Sequence, residues 1–232
     1  MKRYQYLGLV VIIVVFAAVT FPTLIKRIQQ GNVREDNRAT ASQPLSYIIL
    51  NDKARKVPEF LMLNQDSLYI SNEDYLGKVY VVEFFFTRCP TICPQMNQNM
   101  KRLDSLFGYR NDFGIASFSI DPEHDTPTIL KNYANLYEVQ SQHWHFLTGA
   151  RPEIFELANT GFNIFASINP EVAGGFEHQG YFALIDKQGF IRSRTDAYGN
   201  PMVYYLGIEE EETLGPSGTE MLIEDVEKLL KE

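Results

Sequence analysis

The chain has 232 residues, 45% of them hydrophobic, long enough for one packed domain with an additional segment beside it. A formal net charge of −8, with no basic stripe interleaved with aromatics, argues against a nucleic-acid partner, and the acidic run Glu209 to Glu212 reads as a solvated loop. A domain of this size needs no disulfide staple, so its two cysteines, Cys89 and Cys93, call for a chemical explanation.

The first predicted element is "YLGLVVIIVVFAAVTFPTLI" at 6–25, uncharged over about twenty residues, the length that spans a hydrocarbon core of roughly 30 Å. Lys2 and Arg3 precede it; Lys26 and Arg27 follow it. The run exceeds a signal-peptide core and no A-x-A site ends it, so residues 1–27 are expected to be a retained N-terminal transmembrane helix rather than a cleaved signal. Arg34 and Arg38 add positive charge downstream, so flanking charge alone does not favour export of the domain. Residues 28–52 are mostly polar and aperiodic and read as a tether, which puts the domain at 53–232.

Within that domain "FLMLNQDSLYIS" at 60–71 alternates as one or two short strands, and "LGKVYVVEFFF" at 76–86 reads as a fully buried central strand. "PTICPQMNQNMKRLDSLF" follows as a helix, with Ile92, Met96, Met100 and Leu103 on one face. "FGIASFSID" at 113–121 is a second apolar strand, and after it Asp125 or Thr126 is expected to cap a helix with Pro127 in its first turn. "HWHFLTG" supplies another strand and "RPEIFELANTGF" a helix ending near Gly161. The insert "NIFASINPEVAGGFEHQG" reads as a loop or short hairpin at the same end of the sheet. "YFALIDKQGFIRSRTDA" is a hairpin turning at Asp186 to Gly189, and "SGTEMLIEDVEKLLKE" an amphipathic closing helix. This is an α/β order with a parallel core and helices on its faces, the order of a thioredoxin-like domain with its cysteines at the end of the first core strand.

If Pro90 sits in the first turn of the helix, Cys89 lies at its start and Cys93 one turn later on the same face, so the sulfurs converge. Helix N-terminal amides favour the thiolate and lower a cysteine pKa from about 8.5. Three roles stay open. A structural disulfide is within reach, since α-carbons one turn apart are roughly 6 Å from each other, but a bridge enclosing three residues removes little chain entropy. A redox pair is the second, although the familiar dithiol motif of this fold has two intervening residues.

A metal site is the third, and it needs further donors from His124, His143, His145 and His178. Two thiolates with one neutral imidazole suit copper as Cu(I) or Cu(II), whereas structural zinc wants a fourth ligand that is not evident. His143 and His145 flank Trp144 and read as packing or surface residues; His124 in "DPEHDTP" is expected to face solvent at a helix start. His178 stands in a glycine-containing loop just before "YFALID", from where it can be presented to the cysteine end of the sheet.

Taken in order, "GKVYVVEFFFTRCPTICPQM" with its C-x-x-x-C-P, "FSIDPEHDTP", "WHFLTG" and "EHQGYFALIDKQG" resemble the SCO/SenC family, thioredoxin-fold copper proteins of cytochrome c oxidase assembly, over roughly residues 55–195. A single-span N-terminal anchor is typical of that family. The resemblance implies copper ligation by Cys89, Cys93 and His178. It also implies delivery of copper, or reduction of target cysteines, at the binuclear copper site of oxidase subunit II, with the domain on the periplasmic or extracytoplasmic side. Asp121 and Asp125 fall on the family's acidic motif and read as loop-ordering and capping residues.

Arg88, directly before the first cysteine, departs from the commonest form and adds positive charge that favours the thiolate. "YGNPMVYYLGIEEEETLGPSG" matches no function and reads as a loop. A thiol-disulfide oxidoreductase in which Cys89 attacks and Cys93 resolves is the alternative; His178 stands where such enzymes carry a proline. A peroxidase using Cys89 would need an active-site set that the sequence does not show.

Overall fold

Val79–Phe85 is buried along its whole length and apolar but for Glu83 and the hydroxyl of Tyr80, as expected of a strand enclosed on both faces. The structure, a computed structural model, describes residues 13, 14, 16, 18, 20–22, 44–196, 198–208 and 216–232. In chain order the domain contains β1 (Ser46–Tyr47), β2 (Ile49–Leu50), β3 (Lys53–Ala54), β4 (Leu61–Asn64) and β5 (Tyr69–Ser71). There follow β6 (Val79–Phe85), helix α1 (Cys93–Phe107), β7 (Phe113–Ser119), α2 (Pro127–Leu136) and β8 (Trp144–Thr148). Helix α3 (Arg151–Glu156) runs on as a π-helical turn, Leu157–Phe162, and β9 (Ala166–Ile168), β10 (Phe176–His178), β11 (Tyr181–Ile185), β12 (Ile191–Ser193), β13 (Tyr205–Leu206) and α4 (Gly218–Lys231) complete it.

The main sheet has the order β1-β12-β11-β6-β7-β8-β4-β5, with β13 paired to β11. β6, β7 and β8 are parallel and the outer strands antiparallel, the thioredoxin-like arrangement expected from the sequence. Side chains alternate along β6, so Val81, Glu83 and Phe85 share one face while Val82 and Phe84 share the other. Phe85 stacks on Tyr133 of α2 at 5.5 Å between ring centroids, and Phe84 meets Phe162 of the π-helical turn at 5.7 Å. Each face therefore has its own cover, which a mostly parallel core requires.

Several boundaries differ from expectation. The packed domain takes in residues ahead of Lys53: Ser46 and Tyr47 pair with Ser193 and Arg192, and Leu45 and Ile48 are buried. Short apolar residues in a polar stretch give no period to read, so the pairing of this edge strand is set by its partner. Most of 6–25, most of the 28–52 tether and the whole acidic run at 209–212 lie outside the described residues. Among the described residues no helix is long and apolar enough to cross a membrane, so the structure adds nothing to the expected anchor. The helix expected to end near Gly161 does so, at Phe162, with Asn163 rather than the glycine in the left-handed conformation (φ 55°), a residue type that tolerates it.

A buried ionic cluster fixes the C-terminal helix to the sheet. Asp225 of α4 is fully buried and accepts hydrogen bonds from Arg194 Nε (2.5 Å) and Nη2 (2.9 Å), Tyr205 Oη (2.8 Å) and Lys228 Nζ (2.8 Å). Tyr205 lies in the stretch expected to be a plain loop; its pairing in β13 and this hydroxyl bond give that part a structural role. Ser217 and Glu220 form a capping box at the start of α4.

Candidate metal centre

Beyond β6 the chain turns before it becomes helical, and an acidic loop holds that turn. Asp125 Oδ2 accepts from Thr87 N (2.9 Å) and Ser119 Oγ (2.6 Å), Asp125 Oδ1 accepts from Thr87 Oγ1 (2.5 Å), and Asp121 Oδ2 accepts from Arg88 Nη2 (2.6 Å). Asp125 is thus spent on the turn before Cys89 and does not cap α2, whose N-cap Thr126 makes no side-chain cap bond. Both aspartates order the loop, as expected.

Cys89 lies in the turn itself, its amide donating to Phe86 O (3.2 Å), and α1 begins only at Cys93 with Pro94 in its first turn. The expectation that Pro90 opens the helix and puts both cysteines on one helical face is therefore corrected. Two prolines satisfied the first-turn rule, and the hydrogen bonds that Thr87 and Arg88 make to Asp125 and Asp121, just beyond the neighbouring strand β7, hold the segment before Pro94 as a turn. Convergence of the sulfurs comes from the turn, not from helical period.

His178 arrives on the β9–β10 hairpin, at the position paired with Ala166. Its ring stands edge-on to Phe86 at 5.9 Å, its Nε2 is 3.1 Å from Cys93 Sγ, and its Nδ1 is 3.3 Å from Gln179 O. With the proton on Nδ1 and donated to that carbonyl, Nε2 is left free to bind a metal; with the proton on Nε2 the ring donates to the sulfurs instead. One ligand atom from each of Cys89, Cys93 and His178 lies within 4.8 Å of the others. Cys93 is completely buried, Cys89 nearly so, and His178 partly exposed; the two thiols are free.

Gly174 seats this hairpin. Its φ of +90° is one that side-chain-bearing residues rarely adopt, and a Cβ there would lie 2.8 Å from the Phe86 ring and 3.3 Å from Pro90 Cδ. Gly174→Ala is expected to destabilise the domain by about 1–3 kcal/mol, read as a lower denaturation midpoint. An unchanged midpoint would mean that the hairpin relaxes freely away from Phe86.

The pair divides one proton unequally. Cys89 is brought down to about 3, first by the hydrogen bond that the Cys93 side chain directs at it, with His178, the Cys93 amide and Thr91 adding to this. Cys93 is pushed far up, chiefly by burial and then by the same contact with Cys89. The outcome is a thiolate at the more accessible sulfur and a thiol at the buried one. Arg88 was expected to supply the stabilising charge, but its guanidinium is engaged by Asp121 and the sulfur–sulfur contact leads.

The other histidines lie apart from the sulfurs. His145 Nδ1 is 3.2 Å from Asn64 Nδ2, its ring packs edge-on to Tyr75, and burial lowers it to about 4, the packing role expected. His124 is half-buried, with Nδ1 2.8 Å from Asp125 Oδ1, and does not simply face solvent. Asp121, His124 and Asp125 also cluster within 4.8 Å, but their groups are taken up by Arg88, Thr87, Ser119 and one another. Sequence reasoning missed Glu83 and the Asp125–Thr87 clamp; of these Glu83 left a signal, as the lone acid in an apolar strand.

Three donors each about 2.2 Å from a shared ion stand roughly 3.8 Å apart in a trigonal arrangement, so this spread fits one small soft metal with slight adjustment. The SCO1/SenC family profile matches residues 50–211, more than half of the chain. The chain belongs to the SCO1/SenC family. It is 38% identical over 136 residues to the SCO1 protein homolog of Bacillus subtilis, covering 58% of this chain and 70% of that protein. Among solved SCO1/SenC structures, BsSco, described as a member of the Sco family of cytochrome c oxidase assembly proteins with a disulfide switch, is 32% identical. It covers 82% of this chain and 96% of its own, with a TM-score of 0.61. Bradyrhizobium japonicum ScoI, solved with copper bound, shares the SCO1/SenC fold at a TM-score of 0.52 and 21% identity, over 75% of this chain and 99% of its own.

Proposed function

We propose that this SCO1/SenC chain carries copper as cargo, bound by Cys89 Sγ, Cys93 Sγ and His178 Nε2, and serves assembly of the binuclear copper site in subunit II of cytochrome c oxidase. The observation that supports this best is the convergence of two soft sulfur donors and one imidazole nitrogen within 4.8 Å at one end of the sheet. Thiolate selects Cu(I) and imidazole also serves Cu(II), so the set can hold either state. The residues give the site its character: Cys93 anchors it from the buried helix start, Cys89 offers a standing thiolate, and His178 closes it from a separate hairpin. Residues 1–27 anchor the chain in a membrane, and the domain works on its extracytoplasmic side; thiolate–copper chemistry, not flanking charge, supports that placement.

A second reading, thiol-disulfide exchange by the same pair, is favoured by the low thiol of Cys89 and by the disulfide switch of BsSco. Titrating the reduced full chain in detergent with Cu(I) and Cu(II), beside Cys89→Ser and Cys93→Ser, separates the two. One copper retained per chain, with sulfur-to-metal absorption absent from each variant, is expected. A chain that keeps no copper but cycles a disulfide would make exchange the primary activity.

A further inference from the structure

Charge is divided unevenly along the chain. Residues 1–56 hold nine Lys and Arg against three Asp and Glu, whereas residues 57–232 hold twelve against twenty-six, so an acidic body follows a basic start. Such asymmetry points the basic part at an anionic surface. The described end of that basic part is a hairpin to which the copper reading gives no task. Ile49–Leu50 and Lys53–Ala54, strands β2 and β3, form a two-stranded sheet of their own outside the main sheet. Asn51 and Asp52 turn it with φ of 51° and 62°, the two left-handed residues that a tight two-residue loop demands.

The outgoing side of this hairpin is apolar and the returning side basic. Tyr47, Ile49 and Leu50 are 43%, 58% and 51% exposed, three large apolar residues within four positions. Lys53 and Lys56 are exposed and Arg55 is half-buried, and among the described residues no carboxylate pairs with any of the three. Arg55 Nη2 donates to Thr160 O (2.8 Å), and Lys56 Nζ stands 5.9 Å over the Phe190 ring, which meets Tyr47 edge-on at 5.5 Å. Asp52 is the one acid between residues 44 and 58. Apolar side chains beside lysines are what an interfacial segment offers a bilayer: the former enter the headgroup–acyl boundary while the long cationic stems reach the phosphates.

We propose that this hairpin is a second membrane contact of the chain, resting on anionic phospholipid through Tyr47, Ile49 and Leu50, with Lys53, Arg55 and Lys56 at the headgroups. This rests on the reading of residues 1–27 as a membrane anchor. Eighteen residues, 26–43, separate the uncharged run from the described domain, and fully extended they span at most about 60 Å, so the hairpin stays within reach of that membrane. Tethering makes the contact intramolecular, so a small apolar area and three cations suffice. The base of the hairpin is held at Ile191, whose O accepts from Ile48 N (3.0 Å) and whose N donates to Arg55 O (2.9 Å). Ile191 pairs with Ile185, and Ile185 with Tyr80 at the start of β6, whereas Cys89 and Cys93 follow the other end of that strand. A domain resting on the hairpin therefore holds its sulfur end away from the bilayer.

The test is tryptophan quenching in the full chain, reconstituted into vesicles of brominated phosphatidylcholine with or without phosphatidylglycerol. Trp144, the single native tryptophan, is completely buried and gives a common background. Ile49→Trp puts an indole on the hairpin and Phe16→Trp one in the uncharged run; Tyr69→Trp puts one on exposed β5 at the opposite edge of the main sheet, roughly 30 Å away. With phosphatidylglycerol present, Phe16→Trp and Ile49→Trp should each lose at least about half of the added emission and Tyr69→Trp almost none. Adding Lys53→Gln and Lys56→Gln to Ile49→Trp, or omitting phosphatidylglycerol, should cut its loss about twofold or more. Phe16→Trp quenched while Ile49→Trp is quenched no more than Tyr69→Trp would overturn the hairpin contact, as would quenching at Ile49→Trp that ignores both headgroup charge and the two glutamines. An unquenched Phe16→Trp would instead overturn the anchor reading on which the contact stands.

Discussion

On the proposed copper site, His178→Ala is expected to lower copper affinity by more than about 100-fold, beyond the roughly 10–100-fold that loss of a mere outer-shell partner costs. The imidazole is the sole nitrogen in the candidate donor set, and with Nε2 3.1 Å from Cys93 Sγ it cannot be replaced by a neighbour: Gln179 offers that region a carbonyl already used by His178 Nδ1. The substitution should leave the fold intact, because the hairpin is also held by the Phe86–Phe176 ring contact at 5.3 Å and by its β9–β10 pairing. Competition against a chromogenic Cu(I) chelator measures the loss, with His145→Ala as the comparison, since His145 is committed to Asn64 and Tyr75. Equal affinity in His178→Ala and wild type would remove His178 from the site.

The largest expected effect on stability is Asp225→Ala, about 3–5 kcal/mol, the range for breaking a buried ion pair from one side. Arg194 is only 3% exposed at its side chain, and the substitution leaves its guanidinium with Glu224 Oε2 and Met221 O alone. Tyr205 Oη loses its acceptor too, so α4 and β13 loosen from β11 together. For a domain of this size the change corresponds to a Tm lower by roughly 10 °C. Urea denaturation checks it; a loss under about 1 kcal/mol would mean that Glu224 and solvent take over the arginine.

Much of the site was legible before any coordinates. A buried apolar strand feeding two cysteines is a local signal that depends on near neighbours in the chain, while the D-P-x-x-D-T-P loop and the histidine ahead of Leu-Ile-Asp were readable through their resemblance to the SCO/SenC motifs. The helix start was not legible, since Pro90 and Pro94 satisfy the same rule and the choice is made by Asp125 and Asp121, more than thirty residues from the Thr87 and Arg88 that they hold. Nor was the edge strand at Ser46–Tyr47, whose two residues have no period and are ordered by Ser193 and Arg192.

Composition and local pattern by themselves determined the class of fold, the central strand and the cysteine pair Cys89 and Cys93 as chemistry-bearing residues, whereas His178 was singled out by the resemblance to the SCO/SenC family. Tertiary structure alone decided how their atoms meet, which sulfur keeps the proton, and that Glu83 is buried in the central strand with an oxygen unpartnered. The physical reason is range: propensity and hydrophobic period act over a few residues, whereas desolvation and charge coupling depend on distances fixed only when distant segments pack.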